Sequence, residues 1–279
     1  YLNQDYILNI SDFYMKHLFL LCSLFLLLSC DSSKSLADLC KENPQICHEF
    51  GEDSWCKRER VDVALARIAL KTQKQDLQKY HLLVAYEGYV SCMSLASQIQ
   101  HIKLKEKTTL RKNNLLKAKA QLAELSEQTL SSKHPHLLYY HWSRELNKES
   151  LQQFIQLEGT NELENAISQY HLASYYSKKD LNKTLALLFH ALELHQPKEK
   201  LIPEVLQTLA TIFTNKNKPK QAYIWLKIYQ LVENDNSTQI EFSLQQLAKN
   251  HKLNVDFLDK VAKNTLDKIE QGEFKTPKY

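Results

Sequence analysis

The sequence predicts an all-α fold made of antiparallel helical hairpins, and three observations support this prediction. The 279 residues include only 4 Gly and 6 Pro, far fewer than the tight turns of an all-β fold require. From residue 54 onward, apolar residues recur at the spacing of amphipathic helices, with short polar breaks between them. Hydrophobic residues make up 43% of the chain, which is enough to form a buried core.

Glycine placement excludes two classes of nucleotide-binding protein. Phosphate-cradling loops and dinucleotide-binding turns both need several glycines at short spacing. The glycines here are isolated from one another along the chain, at Gly51, Gly88, Gly159 and Gly272. The sequence therefore contains neither a P-loop nor a Rossmann fingerprint.

Residues 15–29 predict a lipoprotein signal peptide. After Met15 and a short basic start, the apolar run 18–28 covers 11 residues, whereas a bilayer-spanning helix needs about 20. The run ends in a Leu-Leu-Ser-Cys sequence at 27–30 that resembles a bacterial lipobox. We therefore predict that Cys30 is acylated and becomes the first residue of the mature chain. Residues 1–14 precede Met15 and are interpreted as upstream sequence.

The lipidated mature chain is expected to be held on a membrane and to face the periplasm. Several acyl chains make such an anchor effectively permanent, unlike a single myristoyl group. Asp31 directly follows the predicted lipidation site, and it resembles the signal that keeps lipoproteins of enteric bacteria in the inner membrane. This slightly favours the inner membrane, and the outer membrane remains an alternative.

Four cysteines remain after the signal peptide is removed and Cys30 is lipidated. They are Cys40, Cys47, Cys56 and Cys92. In an oxidising compartment, an even number of cysteines predicts two disulfides, and four cysteines allow three pairings. A zinc site is less favoured, because six and eight residues separate the first three cysteines, whereas structural zinc ligands usually lie two to four residues apart.

The helical pattern selects one of these pairings. Segments 54–72 and 77–100 are both amphipathic, and the polar break between them is centred near residue 74. Cys56 lies 18 residues before this centre and Cys92 lies 18 residues after it, so an antiparallel hairpin brings them to the same height. We predict a disulfide between them, which leaves the two remaining cysteines as the second pair.

The C-terminal half shows a repeated pattern of helix pairs. In 203–231, residues fall at the spacings of a tetratricopeptide repeat, and an earlier unit around 172–197 resembles it less completely. A third and weaker pair follows in 239–272. The alternative is a non-repetitive helical domain whose alanines and aromatic residues form an ordinary core. The residues that carry the clearer unit are Leu209, Ala210, Phe213, Ala222, Leu226 and Tyr229.

These features divide the chain into five predicted segments. After the upstream residues and the signal peptide come a lipidated tether with a cysteine loop, a disulfide-braced helical domain and an array of tetratricopeptide-like repeats. In the order just given, the five segments are 1–14, 15–29, 30–53, 54–132 and 133–272.

A local basic stretch covers residues 103–119, where seven Lys and Arg residues stand against Glu106 alone. Such a stretch can contact anionic lipid headgroups or acidic cell-wall polymer. The other interpretation is a solvated helix face with Leu104, Leu115 and Leu116 turned inward. The second interpretation is favoured, and the first is retained as an alternative function.

The histidines, acids and aromatic residues are the candidates for a functional site. His134, His136 and His141 lack the spacing of known metal motifs. Glu145 and Glu158 have no second carboxylate or nucleophile elbow beside them. We therefore predict no catalytic residue, metal or cofactor. The aromatic residues are interpreted as core or groove lining, and the candidates for partner binding are Tyr139, Tyr140, Trp142, Tyr176, Phe213 and Trp225.

Several segments together resemble one family of lipoproteins from Gram-negative bacteria, known as domain of unknown function 2989. Besides the lipobox, they are LCKENPQIC (39–47), WCKRER (55–60), CMSLASQIQHIKLKEK (92–107), LLYYHWSRE (137–145) and LEG (157–159). The resemblance implies a helical, repeat-like envelope lipoprotein, lipidated at Cys30 and with four paired cysteines. It implies no activity.

The sequence as a whole predicts a scaffold or adaptor that binds another envelope protein, and not an enzyme. Stacked helix pairs form grooves that commonly hold peptides or protein segments. Nucleic acid is not expected as a partner, because the net charge is only +4 and the chain is expected to be exported. The alternative is a binding module for anionic cell-wall or lipid ligands that uses residues 103–119. An enzyme with an unrecognised site is a third hypothesis.

Overall fold

The structure, a computed structural model, describes residues 35–51, 53–100, 104–234 and 237–277. All regular secondary structure in these residues is helical, with thirteen α-helices, one short 3-10 helix and no strand. The predicted all-α class is confirmed. The upstream residues 1–14, the predicted signal peptide and Cys30 lie outside the described residues.

Two short helices, α1 (Leu36–Glu42) and α2 (Pro44–Cys47), begin the N-terminal unit. Ser35 caps α1, because its hydroxyl accepts a hydrogen bond from a backbone N–H of the first turn at 3.2 Å. A disulfide between Cys40 and Cys47 joins the two helices. This bridge holds together a segment that has no buried residue of its own.

Three long helices form the body of the N-terminal unit. They are α3 (Lys57–Thr72), α4 (Asp76–Ala96) and α5 (Lys105–Thr129). The central helix α4 packs against both of its neighbours and contributes most of the core. Large apolar side chains from all three helices and the preceding loop meet there, including Phe50, Val63, Leu83, Tyr86, Tyr89, Met93 and Ala118.

The next two helices are separated by a sharp bend. Helix α6 (Pro135–Glu145) ends at Leu146, whose φ of 55° places it in the left-handed region. Asn147 then begins α7 (Lys148–Gln156), and its side chain accepts the Ser150 N–H at 2.9 Å. The sequence pattern shows no break here, since neither Gly nor Pro marks the bend.

Six further helices follow a 3-10 turn at Asn161–Leu163. The first four form two closely packed pairs, α8 with α9 and α10 with α11, whereas α12 and α13 both pack against α11 more than against each other. The third predicted pair therefore packs differently from the first two. The six are α8 (Ala166–Tyr176), α9 (Leu181–Glu193), α10 (Pro203–Asn215), α11 (Pro219–Glu233), α12 (Thr238–His251) and α13 (Val255–Glu270).

A short tail after α13 turns back onto the helix pairs. Gly272 makes this turn with a φ of 71°, and a Cβ atom there would lie only 3.3 Å from Pro197, so glycine suits both the conformation and the space. The turn inserts Phe274, 5% exposed, between Phe189 and Trp225, with ring centroids 6.4 and 6.2 Å away. The tail thereby completes the core of the C-terminal unit.

Two observations bear on where the protein resides. The described helices include none with the combined length and apolarity of a membrane-crossing segment. The two disulfides are consistent with a location outside the reducing cytoplasm.

Candidate functional site

Both predicted disulfides are confirmed. Cys56 is bonded to Cys92 with their Cα atoms 5.8 Å apart, and Cys40 is bonded to Cys47. Helices α3 and α4 place the first pair together because they are joined by a short connection at residues 73–75. Within the described chain, one group has the spacing of metal ligands, namely Cys56, Glu59 and Cys92. Its two sulfur atoms are oxidised and so offer no thiolate for a metal.

Part of the basic stretch packs within the N-terminal unit. Arg111 is buried and binds the carboxylate of Asp53 through Nε and through a second nitrogen at 3.1 Å. Its guanidinium also donates to the carbonyl of Ala96 at 3.2 Å. The hydrogen bond from Arg111 holds the pKa of Asp53 below its usual value. Lys117 pairs with Glu49 at 3.4 Å, so two of the seven basic residues serve internal contacts.

The predicted inward face of this helix needs correction. Leu104 and Leu116 are 43% and 66% exposed, and only Leu115 packs against the core. The buried face instead carries Arg111, Asn114 and Ala118. Two polar residues can face inward because Asp53 binds Arg111 and because Asn114 exchanges two hydrogen bonds with the backbone of Gly51.

Four of the six aromatic candidates for partner binding are core residues. Tyr139, Tyr140, Phe213 and Trp225 are each more than 90% buried, so the prediction that they line a partner surface is corrected to a packing role. Phe213 and Trp225 reach only the walls of two smaller cavities. The reason is their helical phase, which turns them toward the helices against which their own helix packs.

The other two aromatic candidates are partly exposed, but each has an internal contact. Trp142 packs edge-on against Tyr175, with ring centroids 5.5 Å apart. The hydroxyl of Tyr176 donates to Glu158 at 2.7 Å. Neither residue lines the cleft of about 920 Å³ described below, and their role in partner binding remains a prediction.

His141 lies in a buried polar network. Its Nδ1 is 2.9 Å from Glu145, and its Nε2 is 3.1 Å from the hydroxyl of Thr129. Ser126 donates to the same carboxylate. This line of hydroxyl, imidazole and carboxylate has the composition of a catalytic triad, but His141 and Thr129 are 0% and 1% exposed. Neither residue lines any of the described cavities, so we assign this network a structural role.

A cleft of about 920 Å³ opens where the N-terminal unit meets the helix pairs. We name it the junction cleft. Its volume is near the upper end of the range for small-molecule pockets. It is bordered by the start of α4, the first turns of α6 and α8, the end of α9 and the segment before α10. Its apolar walls are formed by Leu77, Pro135, Ile167, Leu192, Leu201, Ile202 and Val205.

Four histidines line the junction cleft: His81, His134, His136 and His195. Loss of hydration is the largest cause of a lowered pKa at each of them, and it lowers the pKa of His136 to about 4. These rings are therefore neutral at pH 7, and a neutral imidazole offers one donor and one acceptor nitrogen.

The first turn of α8 also lies in the wall of the cleft. Asn165 caps this helix by accepting the Ser168 N–H at 2.9 Å. Ala166 and Ile167 follow the cap and line the cleft. Amides in a first turn have no acceptor within their own helix, and the helix dipole places partial positive charge at this end.

Two buried polar atoms of the cleft wall have no partner. They are Nδ1 of His136 and the hydroxyl of Ser168, in residues that are 7% and 0% exposed. Leaving such a group without a hydrogen bond costs about 1–3 kcal/mol. Since Ser168 has no hydrogen bond to a histidine, the two groups do not form a nucleophile and base pair. They are suited to binding a polar ligand group.

The sequence indicated only part of this site. It singled out His134 and His136 but missed His81, His195 and Ser168, which come from three other helices or helix ends. One available signal was Asn165, because Asn directly before an apolar helical pattern marks a helix start. The approach of three separate segments cannot be read from local spacing.

Comparisons with known proteins place the chain in a family without supplying an activity. A family model described as a protein of unknown function (DUF2989) matches residues 27–227. No curated protein matches the chain, and no solved structure matches it. The matched region covers both disulfides and all of the residues that line the junction cleft. The chain belongs to the DUF2989 family of proteins of unknown function.

Proposed function

We propose that this protein is a lipid-anchored lipoprotein that faces the periplasm and acts as an adaptor for another envelope protein. A segment of that partner binds in the junction cleft. The acyl chains at Cys30 hold the protein at the membrane, with the inner membrane favoured by Asp31. The protein contributes binding and placement, and no chemical step is assigned to it.

The location is supported by the leader and by the disulfides. The lipobox-like sequence at 27–30 supplies a cysteine for acylation, and two disulfides suit an oxidising compartment. The binding role is supported above all by the junction cleft, which combines apolar walls with two unpartnered buried polar atoms. A ligand that covers such a surface lowers its free energy, because the apolar walls leave water and the polar atoms gain hydrogen bonds.

Crosslinking in intact cells tests this proposal. A photoreactive amino acid is placed at Lys200, an exposed residue on the rim of the cleft. The matched control carries it at Lys263, an exposed residue of α13 that is not among the cleft residues. We expect a discrete crosslinked protein from position 200 and none from position 263. The crosslink should weaken when Cys30→Ser removes the lipid site.

The adaptor proposal loses its support if both positions give the same crosslinked products. It also fails if position 200 yields none in cells that contain the lipidated protein. If a Cys30→Ser variant stays at the membrane after mild washing, the proposed lipid anchor is contradicted, whereas the adaptor role is not.

A second candidate function uses the basic stretch for anionic lipid or cell-wall polymer. Five of its lysines are exposed, which favours this alternative: Lys105, Lys107, Lys112, Lys117 and Lys119. It is tested with the full chain carrying Cys30→Ser, so that no acyl chain contributes. Binding to phosphatidylglycerol vesicles that is absent with phosphatidylcholine and lost at high salt would favour it.

A further inference from the structure

We infer that the junction cleft recognises the free C-terminal carboxylate of its partner, with the apolar side chains that precede it. The inference rests on the proposed function, because it assumes that a protein segment enters the cleft. It adds which chemical group of that segment the cleft recognises. Three features of the cleft carry it: a helix start, unpartnered buried polar groups and an apolar wall.

The helix start supplies the anion-binding element. Ala166 and Ile167 stand in the first turn of α8, an 11-residue helix, and line the cleft. Their amide N–H groups are free of intrahelical bonds, and the dipole favours negative charge at this end. No acidic side chain occupies this first turn, so the site is not already neutralised from within.

The unpartnered groups supply further donors. The Ser168 hydroxyl is fully buried in the cleft wall and has no partner. His136 also lines the cleft and has an unpartnered Nδ1, which donates in the tautomer that carries the ring proton on this nitrogen. The backbone N–H of His136 donates to Nδ1 of His134 at 3.3 Å, so the neutral His134 ring carries its proton on Nε2 as a donor. A carboxylate accepts several hydrogen bonds at once and suits this set.

Charge and apolarity limit the ligand to one carboxylate on an apolar segment. Lys200 is the only Lys or Arg among the cleft residues, whereas Glu162 and Glu199 stand exposed in its lining. A polyanion such as a phosphate-rich polymer would meet these two acids and gain little from one lysine. Leu201, Ile202 and Val205 offer an apolar wall for the side chains before the carboxylate.

The test uses the full chain in detergent and two mixed-sequence libraries of short synthetic peptides. One library ends in free carboxylates, and the other is identical but ends in carboxamides. The libraries are mixed in equal amounts, and the peptides retained by the immobilised protein are counted by mass spectrometry. We expect the acids to be enriched by about tenfold, the effect of one charge-assisted hydrogen bond, with apolar residues near the terminus.

Variants connect this preference to the site. Ser168→Ala removes the unpartnered hydroxyl and should reduce the enrichment to about a third or less. Ser174→Ala is the matched control, because this serine lies on the same helix, is not a cleft residue and donates to the carbonyl of Tyr170. If Ser168→Ala does not fold, as judged by its helical circular dichroism, His134→Gln replaces it with the same expectation.

The inference is overturned if acids and amides are retained equally, or if Ser168→Ala and His134→Gln both leave the preference intact. It is also overturned if a cell-wall stem peptide outcompetes the acid library, because the carboxylate would then come from a different source. If position 200 crosslinks a protein but the acids are not enriched, the adaptor proposal stands and this inference is wrong. If the acids are enriched but position 200 yields no crosslinked protein, the adaptor proposal is wrong and the carboxylate preference of the cleft stands.

Discussion

The N-terminal unit and the C-terminal helix pairs are stabilised by different interactions. The N-terminal unit carries both disulfides and buries the ion pair of Arg111 with Asp53. The C-terminal unit has no disulfide, since all four bridged cysteines precede it. Its core is instead a continuous apolar cluster that runs from α8 to the tail and includes Phe189, Trp225 and Phe274.

This difference follows from the shape of each unit. In the N-terminal unit, a loop and two short helices lie across long helices and bury little apolar area, so covalent bonds and charge pairs hold them in place. In the C-terminal unit, each helix contacts a neighbour on its apolar face, and burial of apolar surface stabilises the stack without a disulfide. The two regions should therefore respond to different perturbations.

Removing the Cys56 to Cys92 bridge should produce the largest effect. The bridge closes a loop with a sequence separation of 36, so Cys56→Ser with Cys92→Ser should lower the free energy of unfolding by about 4 kcal/mol on the chain-entropy estimate. Urea denaturation followed by circular dichroism measures the loss, and hydrogen exchange locates it. Protection should fall in α3 to α5 and persist in α8 to α11.

The smaller bridge provides the control for this prediction. Cys40 and Cys47 are separated by only 7 positions, and their double serine variant should lose about 2 kcal/mol. Equal loss of protection in both units after removal of the larger bridge would show that they unfold together, and the comparison would then fail.

Truncating Phe274, the aromatic residue of the tail, should destabilise the C-terminal unit. Phe274→Ala empties a buried site between Phe189 and Trp225 and should cost about 3 kcal/mol. Hydrogen exchange should increase in α9 and α11, while α3 to α5 are unaffected. Phe242→Ala is the matched control, because Phe242 is 58% exposed and should change stability by less than about 0.5 kcal/mol. Equal effects at the two positions would contradict the role of the tail.

Acid should destabilise the boundary between the two regions. Burial lowers the pKa of His136 to about 4, so the unfolded chain binds this proton more tightly than the folded one. Stability should therefore fall as pH decreases from about 6.5 toward 4, with about 2 kcal/mol lost at this residue by pH 5. Buried His171 acts in the same direction.

Variants measured across the pH range check this prediction. His136→Gln should make stability less dependent on pH between 6.5 and 5, as measured by urea denaturation at each pH. His81→Gln, which changes an exposed histidine of the same cleft, should leave most of that dependence in place. A pH profile unchanged by His136→Gln would mean that this ring is hydrated and titrates normally.

The smallest effect is expected on the outer face of the N-terminal unit. Leu116 is 66% exposed, so Leu116→Ala should change stability by less than about 0.5 kcal/mol. Leu125→Ala, at an 8% exposed position of the same helix, should cost about 3 kcal/mol. A large loss of stability for Leu116→Ala would mean that Leu116 faces the core, as the sequence pattern predicts. It would contradict the buried face that the structure gives to α5.

The helices and the disulfides were predictable because both depend on local periodicity. The equal distances of Cys56 and Cys92 from the break near residue 74 were enough to pair them. The face of α5 was not predictable, because Arg111 is buried by a partner 58 residues away. The bend at Leu146 was also missed, since a leucine in the left-handed region carries no sequence mark.

The candidate site was less predictable than the fold. His134 and His136 lie close together in the sequence, but His81, Ser168 and His195 join them only after α4, α8 and α9 have packed. Large aromatic side chains contribute apolar area both to protein interfaces and to protein cores. In Tyr139, Tyr140, Phe213 and Trp225 the same large apolar area fills the interior, and residue type alone does not separate these outcomes.

The tail that ends in Phe274 has a practical consequence for cutting the protein into pieces. The family match ends at residue 227, inside α11. A fragment that stopped there would lose α12, α13 and the tail, and would leave Phe189 and Trp225 open to water. Such a newly exposed aromatic patch promotes aggregation. A fragment meant for expression should therefore continue through Pro277.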